Sequence, residues 1–157
     1  MYSYTKNQVL QHLRIKIIKR EDRKNIAQWA YKKFLERIKD MNPEFEQLLI
    51  DLSCMQDQII SYEQLEDRLD NFYMGDDFLY DRLEFAKDLR RQVQKRVDTY
   101  FIAQWAGGFH FELDHDLMLS DVADRLAIMC CDECFDYSYE ELNKIVDQLI
   151  AGEDVTL

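Results

Sequence analysis

A five-residue word occurs twice in the chain. Ile26-Ala27-Gln28-Trp29-Ala30 returns letter for letter as Ile102-Ala103-Gln104-Trp105-Ala106, 76 positions later. At the same offset Leu13 falls on Leu89, Ile17 on Val93, Arg20 on Arg96 and Asp22 on Asp98. After a one-residue shift, Leu49 falls on Leu126, Cys54 on Cys131 and Asp70 on Asp147, and Ser61-Tyr62-Glu63-x-Leu65 falls on Ser138-Tyr139-Glu140-x-Leu142. Self-similarity at a fixed period constrains a fold more than any local pattern, because each copy must solve the same packing problem. The reading is a tandem internal duplication, with repeat units of residues 1–75 and 76–157. A unit this small buries its core poorly alone. The two are therefore expected to pack as one helical domain with pseudo-twofold symmetry.

Within each copy the apolar residues follow helical spacing. Tyr62, Leu65, Leu69 and Phe72 form one stripe, and Tyr139, Leu142, Val146 and Leu149 form its counterpart. Ile26, Ala30, Phe34 and Ile38 form a ladder, and Leu79, Leu83, Ala86 and Val93 another. Such spacing gathers apolar side chains on one helix face. Asn42-Pro43 reads as an N-cap with proline at the first helical position, and Ser61-x-x-Gln64 and Ser138-x-x-Glu141 read as capping boxes. The fold class is all-α, with about eight helices at roughly 5–18, 21–40, 43–55, 61–73, 77–95, 97–106, 120–133 and 138–151. Gly107-Gly108 breaks the pattern, and Phe109–Leu119 reads as a long loop. Trp29 and Trp105 are expected to be matched core residues.

Charge separates along the chain. Residues 1–39 hold eleven Lys/Arg and three Asp/Glu, whereas residues 110–157 hold two and thirteen, within a net charge of -11. An acidic face repels phosphate and anionic lipid and attracts basic partners. No run approaches the ~20 apolar residues of a membrane span. The N-terminus has no apolar signal segment. The expected location is therefore cytoplasmic, with reduced cysteines.

The copies differ after the shared word. Where copy one continues as Tyr31-Lys-Lys-Phe34, copy two inserts Gly107 to Asp116. A site is expected where the copies diverge. Cys130, Cys131 and Cys134, with His110 and His115, are residue types that zinc takes. They form a single C-x2-C with no partner pair at finger spacing, so buried structural thiols are expected, as for Cys54. Asp114, Asp116, Asp121 and Asp124 lack the order of a calcium loop. No phosphate-cradling glycine motif is present, so no cofactor and no catalytic residue is assigned. His12 is expected to be partly exposed or satisfied in the first helix. The basic residues of the first forty are not gathered on one helical face, which argues against nucleic acid.

Thr5-x-x-x-Val9, Arg20-Glu21-Asp22 and Trp29-Ala30, continued by Phe45–Cys54, resemble bacterial immunity proteins of the colicin and polymorphic-toxin type. The resemblance spans about the first third of the chain and transfers no partner-contacting residue. It implies a small helical protein of the cytosol that binds and blocks a cognate toxin. The expected function is thus a non-enzymatic binding protein that occludes a basic protein partner. Glu112, Asp114, Asp116, Asp132, Glu133, Asp136 and Glu140 would form its anionic surface, and Phe109 and Phe111 its aromatic anchors. The alternative is a helical scaffold or regulatory subunit, as a homo-oligomer, with no toxin partner.

Overall fold

The computed structural model describes residues 4–55, 60–72, 80–109, 113–130 and 137–155. Among them every α-helix starts on a side-chain oxygen that accepts one of the backbone N–H groups left over at a helix N-terminus. Thr5 caps α1 (Lys6–Ile18), Asp22 caps α2 (Arg23–Leu35) and Asn42 caps α3 (Pro43–Ser53). Ser61 caps α4 (Tyr62–Asp70), Asp81 caps α5 (Arg82–Gln94) and Asp98 caps α6 (Thr99–Gly107). Asp116 caps α7 (Leu117–Ala127), and Ser138 caps α8 (Tyr139–Ile150). A 3-10 turn, Ile128–Cys130, extends α7. The fold is all-α.

Several boundaries differ from the expected ones. The fifth helix starts at Arg82, not at 77, because Asp81 is extended and its carboxylate caps the Glu84 N–H; residues 77–79 lie outside the described residues. The second helix ends at Leu35, not near residue 40, and Ile38–Lys39 (β2) pairs in parallel with Tyr4–Thr5 (β1). Ile38 is buried although it lies outside the helix, so the apolar Ile26–Ile38 spacing conceals the break. The loop after Gly108 ends at Asp116 rather than Leu119, because the Asp116 carboxylate caps α7 three residues before the expected start at 120. α7 ends at Ala127, and residues 131–133 of the expected helix lie outside the described residues.

The chain divides into two compact units, Met1–Phe78 and Leu79–Leu157. In the first, α2 packs on α3 and α1 on α4, around Leu10, Leu13, Ile26, Phe45, Leu49 and Leu65. In the second, α6 packs on α7 and α5 on α8, around Phe85, Leu89, Ile102, Val122, Leu126 and Leu142.

Local geometry also recurs between the units. α1 and α5 both end in a Schellman turn whose left-handed residue is arginine, Arg20 at φ 54° and Arg96 at φ 53°. The Glu21 N–H donates to the Lys16 carbonyl at 3.0 Å, and the Val97 N–H to the Gln92 carbonyl at 3.0 Å. Glycine is the usual residue here, as at Gly152 after α8. The arginine guanidinium instead covers an aromatic ring, Arg20 over Tyr62 at 4.9 Å and Arg96 over Tyr139 at 4.8 Å. Each tyrosine hydroxyl then donates back across the turn at 2.8 Å, to the Glu21 and Val97 carbonyls respectively. The αL cost, roughly 1–2 kcal/mol, is offset by side-chain contacts that glycine could not make.

Candidate functional site

Residues 76 positions apart in the sequence, one set in each unit, form clusters with different contents. In the first unit the Lys33 ammonium lies 3.7 Å from the Tyr4 ring centroid and 5.5 Å from that of Trp29, and it pairs with Glu36 at 3.1 Å. In the second, Phe109 sits 5.1 Å from Tyr80 and 5.2 Å from Trp105. Phe109 also meets Phe85 at 5.8 Å and is half-buried. The Phe109 ring is therefore enclosed on several sides within its own unit. Both tryptophans are half-buried, packed against the core rather than enclosed in it, which corrects the expectation of core residues. Trp29 instead carries a wet edge, stacked on exposed His12 at 6.2 Å with the Lys16 ammonium at 5.4 Å.

The anionic residues singled out from the sequence have separate fates. Asp116 is committed internally. Its carboxylate takes the Arg82 Nε at 2.6 Å and Nη2 at 3.2 Å, and caps the Leu119 N–H at 3.2 Å. The hydrogen bond from Arg82 holds the Asp116 carboxyl below its ordinary pKa against the opposing cost of burial, and the same bond raises the pKa of Arg82. Asp114 and Glu140 are exposed. Phe111, Glu112, Asp132, Glu133 and Asp136 lie outside the described residues, as do His110, Cys131 and Cys134. Cys130 closes the 3-10 turn. His115 is exposed, with Nε2 3.0 Å from the Tyr80 carbonyl. Cys54 is exposed at the C-cap of α3, not buried as expected. Among the described residues no cluster of His, Cys, Asp and Glu is suited to a metal ion.

A cavity of about 420 Å³ lies between the start of α3 and the end of α4, bounded by Glu44, Gln47, Arg68 and Phe72. Its one guanidinium, Arg68, already pairs with Asp51 at 2.6 Å, so the pocket offers no spare cation to a ligand.

Sequence reasoning missed the most exposed large apolar side chains among the described residues of the second unit. Tyr100 (48% exposed) and Phe101 (59%) stand on the first turn of α6 with ring centroids 5.6 Å apart. Leu117 (80%) and Ile128 (42%) bracket the outer face of α7. The signal was available. The shared word buries Ile102, Ala103 and Ala106, and helical periodicity then forces positions 100, 101 and 104 outward. At the same offset the first unit carries Lys24 and Asn25.

The charge split persists along two exposed segments, although the first unit also exposes Asp40, Glu44, Glu46, Asp67 and Asp70 and the second also exposes Lys95 and Arg96. From Asp98 to Val155 the exposed described residues include nine carboxylates (Asp98, Asp114, Asp121, Asp124, Glu140, Glu141, Asp147, Glu153, Asp154) and two cations (Arg125, Lys144). From Lys19 to Lys39 they include five cations (Lys19, Lys24, Lys32, Arg37, Lys39) and one carboxylate, Asp22. Other basic residues of the first unit serve the fold: Arg20 pairs with Glu63 at 3.0 Å and with buried Glu66, and the Arg23 Nη1 donates to the Ile60 carbonyl at 2.5 Å. No helix is long and apolar enough to cross a membrane among the described residues. Nothing matches the chain among protein-family models, curated proteins or solved structures.

Proposed function

We propose that this chain is a small acidic binding protein of the cytoplasm that occludes a basic protein partner, and that it acts as an immunity protein blocking a cognate toxin. In this reading a bundle was duplicated, and the second copy became the docking unit. One observation carries it. α6 and α7 expose Tyr100, Phe101, Leu117 and Ile128 on a unit whose exposed described residues hold more carboxylates than cations, nine against Lys95, Arg96, Arg125 and Lys144, whereas the first unit carries Lys24 and Asn25 at the positions of the aromatic pair.

The division of labour follows from interface physics. Carboxylates such as Asp121, Asp124 and Glu140 speed encounter with a cationic surface more than they tighten the final complex. Affinity concentrates in a few large side chains that lose water on docking. Tyr100 and Phe101 are that type, and they replace Phe109, whose ring is engaged within its own unit. A toxin that acts on nucleic acid needs a cationic surface for phosphate, and an acidic protein seated there competes for the same charges.

The test is capture from the source cytoplasm by wild type and by a Tyr100→Ala/Phe101→Ala variant, followed by co-expression with the captured protein. The expected result is a basic polypeptide whose toxicity is relieved by wild type. Its affinity for the variant should fall at least about tenfold, ~1.4 kcal/mol. Equal protection by both proteins would remove the aromatic pair from the site. Failure to capture a basic protein would overturn the reading.

A further inference from the structure

The two units each present one outward helix stripe, and the stripes match in spacing and oppose in charge. On α2 the stripe is Lys24, Gln28, Tyr31 with neighbouring Lys32, and Leu35, all exposed, with Tyr31 at 56% and Leu35 at 65%. On α7 and its 3-10 extension it is Leu117, Asp121, Asp124 and Ile128, also exposed. Both run i, i+4, i+7, i+11, about 16 Å of helix at 1.5 Å per residue. Each ends on a large exposed aliphatic residue, Leu35 at 65% and Leu117 at 80%.

We propose that the α2 stripe of one copy docks on the α7 stripe of a second copy. Antiparallel packing places Leu35 against Leu117 and Lys32 against Asp121, where the ammonium competes with the Arg125 guanidinium 3.3 Å from that carboxylate, and sets Lys24 opposite Ile128, within a turn of Asp124. It also opposes the helix dipoles favourably. The contact joins different surfaces, so each added copy still offers one unused stripe of each kind. Such a head-to-tail contact extends into chains unless its rotation closes a ring. The inference rests on the reading of the second unit as a dock for basic protein surfaces, with the molecule's own basic helix as the occupant. A partner that binds α7 would then have to displace a second copy.

The experiment is light scattering or sedimentation of the full chain over a range of concentrations, at ionic strengths of about 20 mM and about 500 mM, which set Debye lengths of roughly 20 Å and 4 Å. At low salt the weight-average mass should climb with concentration past twice the 19.0 kDa of one chain, and at high salt return to it. Lys24→Glu/Lys32→Glu should remain a single chain at both salts, as should Asp121→Lys/Asp124→Lys. An equimolar mixture of the two variants should associate again, because each restores the opposite charge to the other. A wild type that stays a single chain at low salt overturns the proposal. So does a Lys24→Glu/Lys32→Glu variant that associates like wild type, or a mixture that stays dissociated. The same lysine variant tests partner capture separately, since its changes lie in the first unit. Failure of the wild type to capture a basic protein, with its self-association intact, would count against the proposed function alone.

Discussion

Asp116 separates a structural role from a docking role at one position. Its carboxylate closes the first turn of α7 through the Leu119 N–H and holds the Arg82 guanidinium by two contacts. Losing an N-cap costs about 1 kcal/mol. The ion pair is only partly exposed, with side-chain accessibilities of 30% and 20%, and its paired geometry puts it near the upper end of such pairs, about 1 kcal/mol. Asp116→Ala removes both and should cost about 2 kcal/mol. Asp116→Asn keeps the capping oxygen and should cost about half as much.

The pH dependence has a fixed sign. The carboxyl pKa is lowered in the folded state, first by the Arg82 hydrogen bond. Its contribution is therefore fully present above the unfolded value of about 3.9, and is lost as pH falls through the folded value. The gap between wild type and Asp116→Asn should hold constant from pH 7 to pH 5 and narrow below about 4. Urea unfolding in a Trp29→Phe background, where Trp105 alone reports on the second unit, measures each term. Equal losses for the alanine and asparagine variants would refute the capping role. A loss below about 0.5 kcal/mol for alanine would refute the whole assignment.

Lys33→Met keeps the aliphatic stem between Tyr4 and Trp29 but removes the cation, and should cost about 1 kcal/mol by chemical unfolding of the first unit; no loss would mean the rings hold only the stem. Arg20→Gly relieves the left-handed backbone yet strips the cation from buried Glu66, so it should destabilise by about 2 kcal/mol or more, whereas Arg96→Gly should stay within about 1 kcal/mol of wild type; equal effects would refute the explanation of why arginine stands at Arg20. Trp105→Ala should cost about 3 kcal/mol, because it opens contacts to Phe85 at 4.8 Å and Phe109 at 5.2 Å, and Trp29→Ala less, because one of its faces meets exposed His12; the reverse order in paired melts would refute the packing assignment. Tyr100→Ala and Phe101→Ala should leave the melting temperature unchanged within about 0.5 kcal/mol, which a thermal melt checks.

The sequence by itself determined that the chain is helical, roughly where the helices lie and which face of each is buried. A cap such as Ser61 with Gln64, and a stripe such as Tyr139, Leu142, Val146 and Leu149, are local events, decided within four residues by hydrogen-bond geometry and the 3.6-residue turn. The recurrence of Ile-Ala-Gln-Trp-Ala likewise placed Ile26 and Ile102, Ala27 and Ala103, and Ala30 and Ala106 in buried positions before any coordinates. Tertiary structure decided what periodicity leaves degenerate. Ile38 satisfies the helical ladder of α2 yet lies in an extended pair with Tyr4, because only the far segment of chain can supply that pairing. Asp116 looked like a surface carboxylate until Arg82, 34 residues away, claimed it. Phe109 and Lys33 lie 76 positions apart in the sequence, yet one fills a ring cluster and the other presents a cation to one. Contacts between distant residues depend on packing, and a one-dimensional pattern records which face a side chain takes without naming what it meets there.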